Sequence, residues 1–207
     1  MDKPLPAPSR VLLVGASGTL GRAVADELSA RHDLLSAGRN SGELRLDLTD
    51  SDSIRAALAQ AGPLDAVVCA AGNVHFAPLL QIGAAGWQVG LNDKLMGQVN
   101  LSLLAAEYLR EGGSITLTGG VLADQPIRQG ASASLVNGAL EAFVRAAAIE
   151  LPRGLRINLV SPTVLVEAMP AYAPYFRGFE PVPAARAALA YARSVEGAET
   201  GKVYRIH

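Results

Sequence analysis

Gly15, Gly18 and Gly21 fall every third residue in Gly15-Ala16-Ser17-Gly18-Thr19-Leu20-Gly21, directly after the apolar run Val11-Leu12-Leu13-Val14. Such a loop turns tightly, lets backbone approach a phosphate, and opens a helix whose first N–H groups and positive dipole end attract an anion. The expected ligand is a pyrophosphate held by Gly15, Ser17, Gly18, Thr19, Leu20 and Gly21. No Gly-Lys-Ser/Thr follows, which disfavours a P-loop. About twenty residues on, where a carboxylate would bind a ribose diol, the chain reads Ser36-Ala37-Gly38-Arg39-Asn40. The Arg39 guanidinium suits a 2′-phosphate through charge-assisted hydrogen bonds, so NADP(H) is the expected cofactor. Proton chemistry has fewer candidates. The only lysines are Lys3, Lys94 and Lys202, and Lys94 alone lies away from the termini. Tyr172, Tyr175 and Phe176 concentrate aromatic side chains within 167–179, a stretch that reads as a lid over an apolar substrate site or as aromatics closing a hydrophobic floor or a subunit contact.

The elements that must position these residues alternate along the chain. Short apolar runs at 11–14, 34–37, 44–48, 66–69, 114–118, 155–160 and 203–206 read as buried strands. Helical periodicity fills the intervals: 20–28 with Leu20, Val24 and Leu28 on one face, 51–60 capped by Ser51 or Asp52, 86–110, 130–150 and 183–194. Links this long between strands require crossovers. The expected fold is therefore α/β: a single Rossmann-type, doubly wound, mostly parallel sheet of about seven strands with helices on both faces, formed by residues 1–207 as one domain.

Composition narrows the function. The 207 residues are 50% hydrophobic and 18% charged with net charge −1, so a sizeable core is available and no basic footprint for nucleic acid exists. Cys69 is the only cysteine, and His32, His75 and His207 show no metal-ligand spacing. The start carries Pro4, Pro6 and Pro8 without an apolar run, so residues 1–9 are expected to be a flexible Pro-rich tail, not a signal peptide or membrane anchor. A cytoplasmic protein follows as the expectation.

Several ordered motifs resemble the short-chain dehydrogenase/reductase family across nearly the whole chain. The glycine loop resembles that family's nucleotide loop, and Leu46-Asp47-Leu48 its adenine-binding Asp-hydrophobic pair. Ala70-Ala71-Gly72 is similar to its Asn-Ala-Ala-Gly, with Cys69 in the asparagine position, and Arg156-Ile157-Asn158-Leu159-Val160-Ser161-Pro162-Thr163 to its segment beside the nicotinamide. The resemblance implies that Asp47, Leu48, Ala70, Ala71, Gly72, Pro162, Thr163 and Val164 also contact NADP(H). It breaks at the chemistry. The family's Tyr-x-x-x-Lys pair falls on Ala133 and Asn137, and its serine falls on Gly120, with Thr118 the nearest hydroxyl. Ala133 cannot titrate, and Asn137 offers a ribose hydroxyl a hydrogen bond but no charge. Lys94-Leu95-Met96-Gly97 puts a lysine where the family's Asn-x-x-Gly keeps the asparagine of its proton relay.

Lys94, Thr118 and Asn137 are thus the candidate catalytic residues. The expected function is an NADP(H)-dependent oxidoreductase acting on a small carbonyl or alcohol through an atypical site. The alternatives are a catalytically silent NADP(H)-binding sensor or partner protein and a scaffold that the nucleotide merely stabilises. The resemblance further implies a homodimer or homotetramer joined through the helices near 91–110 and 131–150.

Overall fold

In β1 (Arg10–Val14), Val11 and Leu13 enter one core and Leu12 and Val14 another, and all four are buried. A strand apolar on both faces needs cover on both. Helices α1 (Thr19–Ser29) and α7 (Ala184–Glu196) cover the Val11 face with Val24, Leu28, Ala188, Tyr191 and Val195. Helices α2 (Ser51–Ala61), α4 (Gly97–Ala105) and α5 (Ala131–Glu150) cover the other with Ile54, Leu58, Leu101, Leu140 and Val144. The computed structural model describes residues 7–207.

The remaining strands are β2 (Asp33–Gly38), β3 (Leu44–Arg45), β4 (Leu64–Cys69), β5 (Leu109–Thr118), β6 (Arg156–Pro162) and β7 (Val203–Ile206). They form one seven-stranded sheet in the order β3-β2-β1-β4-β5-β6-β7, parallel at every pairing, as expected for a doubly wound fold. The strand order reverses between β1 and β4, where Val14 lies beside Cys69. Ligands bind α/β sheets in the crevice beyond the strand ends at such a switch point. Here that crevice opens onto Gly15 and Ala70.

The helix expected over 86–110 is instead three segments. α3 (Gly83–Val89) leads into a π-helical turn (Gly90–Met96) and then α4. In the wide turn Gly97 N–H donates to Asn92 O, and the carbonyl of Lys94 is taken by the buried side chain of Gln98 through Nε2 at 3.0 Å. The same Gln98 amide bonds Thr118 N and Thr118 O, so the π turn is fastened to the end of β5. Leu109 and Arg110, expected in that helix, begin β5. Arg153 donates to the carbonyls of Ala106 and Leu109 and ends the helix there. The cap of α2 is Asp50, whose carboxylate accepts from Asp52 N at 2.9 Å, in place of Ser51 or Asp52.

Of the expected tail at 1–9, residues 1–6 lie outside the described residues. Ser9 is already part of the fold: its N–H donates to His32 Nδ1 and its carbonyl accepts from Asp33 N. The motif residue Asn158 is buried and serves the sheet, donating to Glu199 O and accepting from Lys202 N to hold the turn into β7.

Candidate functional site

Gly15 has φ +91°, and a Cβ on it would lie 2.8 Å from Ala71 Cβ. A Cβ on Gly21 would lie 1.9 Å from Gly15 O. These two glycines are dictated by chain meeting chain, whereas a Cβ on Gly18 would meet only Gly15 O at 3.5 Å. α1 follows Gly18 at its N-cap, with no side-chain cap and no acidic residue in its first turn, which leaves its leading N–H groups without a side-chain acceptor. They open beside a cleft of about 400 Å³ lined by Gly15, Ser17, Gly18, Arg39, Leu48, Ala70, Ala71 and Gly72, among others. Thr19, Leu20 and Gly21 lie outside its lining, and Gly21 packs against Gly15 O.

At the far end of the cleft Ser41 Oγ donates to Ser17 Oγ at 2.9 Å, tying the β2–β3 turn to the glycine loop. Arg39 is half exposed and held between two carboxylates, with Nε 3.0 Å from Asp47 Oδ2 and Nη2 3.5 Å from Asp93 Oδ2. Hydrogen bonds from Thr49 N and Oγ1, helped by the Arg39 charge, hold the Asp47 carboxyl below its ordinary value. Asp47 therefore borders the cleft as the partner of Arg39. Asp93, which sequence reasoning missed, is buried and accepts from Asn73 N at 3.3 Å and Asn73 Nδ2 at 2.7 Å. Its only sequence signal is its place beside Lys94.

Gly72, at φ +138°, separates this cleft from a second pocket: a Cβ there would lie 2.8 Å from Lys94 Cγ. The second pocket, about 220 Å³, is walled by Val74, Phe76, Val121, Leu122, Ala133, Pro162, Thr163, Val164, Tyr172 and Phe176. Lys94 and Asn137 also line it. Lys94 Nζ donates to Gly119 O at 3.0 Å, and among the described residues no carboxylate lies within salt-bridge distance of it. Burial lowers its ammonium to about 8. Burial also pushes the nearby Cys69 thiol up to about 12, so at neutral pH Cys69 supplies no countercharge. Asn137 Nδ2 donates to Gly120 O at 3.3 Å, and its Oδ1 is buried without a partner. Two helices thus grip consecutive carbonyls, Gly119 and Gly120, and leave one donor and one acceptor at the pocket.

Thr118 does not belong to this constellation. Its Oγ1 donates to Cys69 O at 2.5 Å and is 2.6 Å from Tyr191 OH, facing α7. The hydroxyl expected to be catalytic is engaged here with a buried backbone carbonyl and a buried phenol. The lid, which includes α6 (Met169–Tyr172), is also only partly as expected. Tyr172 and Phe176 line the pocket, and Phe76, Tyr172, Phe176 and Phe179 stack edge to face in sequence at centroid separations of 6.1, 6.2 and 5.3 Å. Tyr175 is 44% exposed and outside the lining. Glu167 accepts from Ala184 N through both oxygens, so the base of the lid is fastened to the start of α7. His75 packs against Gly86.

Residues 11–205 match the family model described as enoyl-(acyl carrier protein) reductase. D-erythrulose reductase of Gallus gallus is 27% identical over 178 residues, covering 77% of this chain and 72% of that protein. L-xylulose reductase of Mesocricetus auratus is 27% identical over 165 residues, covering 78% and 68%. A crystal structure of a Listeria innocua protein superposes with a TM-score of 0.94 at 47% identity over 96% of this chain and 99% of that one. A small-chain dehydrogenase in complex with NADPH superposes with a TM-score of 0.85 at 24% identity over 96% of each chain.

Proposed function

The chain belongs to the short-chain dehydrogenase/reductase family of nicotinamide-dependent oxidoreductases, and we propose that it is an NADP(H)-dependent reductase of small carbonyl compounds whose proton comes from Lys94. The observation that carries this is the placing of the one lysine away from the termini. Lys94 abuts Gly72 of the nucleotide cleft with its stem and turns its ammonium to the apolar pocket.

NADP(H) fits the residues present. The uncapped N-terminus of α1 and the open side of Gly18 suit a pyrophosphate, and Ser17, Arg39 and Ser41 suit a 2′-phosphate. To meet that phosphate, Arg39 must exchange its contacts with Asp47 and Asp93. The unpartnered Asn137 Oδ1 suits a ribose hydroxyl. When bound, the cofactor supplies the hydride. The chain's own part is then electrostatic and protonic. A Lys94 ammonium bonded once to Gly119 O keeps two N–H bonds for a substrate carbonyl oxygen, and in an apolar pocket their effect on developing negative charge is strong. An acid near 8 is charged at neutral pH yet gives its proton readily to an alkoxide.

The relatives from Gallus gallus and Mesocricetus auratus are named for reduction of the ketoses D-erythrulose and L-xylulose. In this chain Val74, Phe76, Val121, Leu122 and Val164 would leave most hydroxyls of a ketose unpaired, which favours a small carbonyl with an apolar body. A cytoplasmic homodimer or homotetramer of single-domain subunits completes the proposal. Leu103, Leu135 and Ile149, exposed apolar residues on α4 and α5, support the assembly.

The test is NADPH oxidation against a panel of small aldehydes and ketones between pH 6 and 10. Turnover that is level at low pH and declines above about 8 is expected. Tight NADPH binding with no turnover at any pH would instead establish the silent NADP(H)-binding protein, the reading that Ala133 in the tyrosine slot and the engaged Thr118 hydroxyl favour.

A further inference from the structure

We propose that Lys94 is also a covalent capture site for small aldehydes, forming a reversible imine with the carbonyl carbon inside the apolar pocket. The proposal shares the pocket of the proposed reductase but needs neither cofactor nor hydride.

Three features of the site carry it. The amine is held: its stem abuts Gly72, and Nζ donates to Gly119 O at 3.0 Å, so the nucleophile is fixed at the pocket wall. A neutral amine has two N–H bonds and one lone pair, and donation to Gly119 O leaves the lone pair free to attack. Next, the walls formed by Val74, Phe76, Val121, Leu122 and Phe176 bury the body of an aliphatic or aromatic aldehyde. Finally, among the described residues no carboxylate pairs with the amine to keep it protonated. Asp93, its chain neighbour, is engaged by Asn73 and Arg39. From β4 it is faced by the Cys69 thiol, neutral far above pH 7, and the lid brings the Tyr172 phenol to the same pocket. Burial then lowers the ammonium to about 8, so roughly a tenth of Lys94 is free base at pH 7, against well under a thousandth for an ordinary lysine.

The chemistry balances without an oxidant or reductant. The Nζ lone pair adds to the carbonyl carbon while the C–O π pair moves to oxygen. A proton passes from nitrogen to that oxygen to give the carbinolamine. The nitrogen lone pair then forms C=N as the C–O bond breaks, the second N–H proton passes to the departing hydroxyl, and water leaves; addition of water reverses every step.

Three lysines make the test sharp. The nucleotide-free protein is incubated with butanal or benzaldehyde at pH 7.5, trapped with sodium cyanoborohydride, and mapped by peptide mass spectrometry. Lys94 should be alkylated at least tenfold faster than Lys202, which is exposed, and than Lys3. Its rate should rise between pH 7 and 8.5 and then level. In K94R the fast adduct should vanish while Lys202 labels as before. Equal labelling of the three lysines, or labelling that spares Lys94, overturns the proposal. The comparison within the unaltered chain decides this even where K94R does not fold. A failed reductase assay with selective Lys94 labelling removes the hydride chemistry and leaves the capture site standing.

Discussion

Replacing Lys94 with methionine should stabilise the fold while abolishing turnover. Lowering the ammonium from an ordinary 10.5 to about 8 means that keeping it charged in the folded protein costs about 3 kcal/mol. The sign follows from the two states. Below pH 8 the lysine is charged both folded and unfolded, so the full penalty applies. Between 8 and 10.5 the folded protein has released the proton and the unfolded chain has not, so the penalty shrinks, and above 10.5 it is gone. Methionine keeps an unbranched stem against Gly72 and removes the charge, but it forfeits the bond to Gly119 O, about 2 kcal/mol for a charged donor. The net gain at pH 6.5 is about 1 kcal/mol, a rise in Tm of about 2–4 °C for a chain of this size. Urea and thermal denaturation at pH 6.5 and pH 10 measure it, with NADPH oxidation run in parallel. A variant less stable than wild type at pH 6.5, or an advantage undiminished at pH 10, would refute the reasoning that the ammonium is held in an unfavourable, functional place.

Arg39→Ala should lower affinity for NADP(H) about 10–100-fold and change NAD(H) affinity little, because only the 2′-phosphate loses a charge-assisted bond of about 1.5–3 kcal/mol; calorimetric titration with both nucleotides separates the cases. Thr118→Val should destabilise by about 2–3 kcal/mol in urea, since Cys69 O and Tyr191 OH both lose a buried partner, yet leave kcat of the folded protein unchanged; a large fall in kcat would return Thr118 to the chemistry. Gly21→Ala places a Cβ 1.9 Å from Gly15 O, so the loop must move, and a loss of about 3 kcal/mol with weakened nucleotide binding is expected; wild-type binding and stability together would show that the loop yields freely.

Much of this fold was legible in the residue pattern because burial on two faces leaves a local trace. Four consecutive apolar residues at Val11–Val14, ended by Gly15, read as a strand covered on both sides, and a glycine at every third position after it suits a phosphate cradle. The parallel direction of the sheet and its cover of helices on both faces follow from that alternation of strands and helices, whereas register, strand order and the switch point are set by the tertiary pairing. The same logic failed where a side chain supplies the backbone's partner. Gln98 widens the helix into a π turn and Arg153 stops it at Ala105, and no local period announces either. The site divides in the same way. Which residues could do chemistry was set by type and scarcity: Gly15, Gly18, Arg39 and Lys94 stand out in the chain itself. Which of them meet was decided only by tertiary structure. Thr118 and Lys94 both touch the end of β5, but the hydroxyl faces α7 and the ammonium enters the pocket through Gly119 O. Asp93 and Asn73, 20 residues apart, become one hydrogen-bonded unit under Arg39. Sequence records what each residue can offer, whereas the direction in which a side chain leaves its strand or helix, and the group it finds there, depend on contacts that only the packed sheet and its helices create.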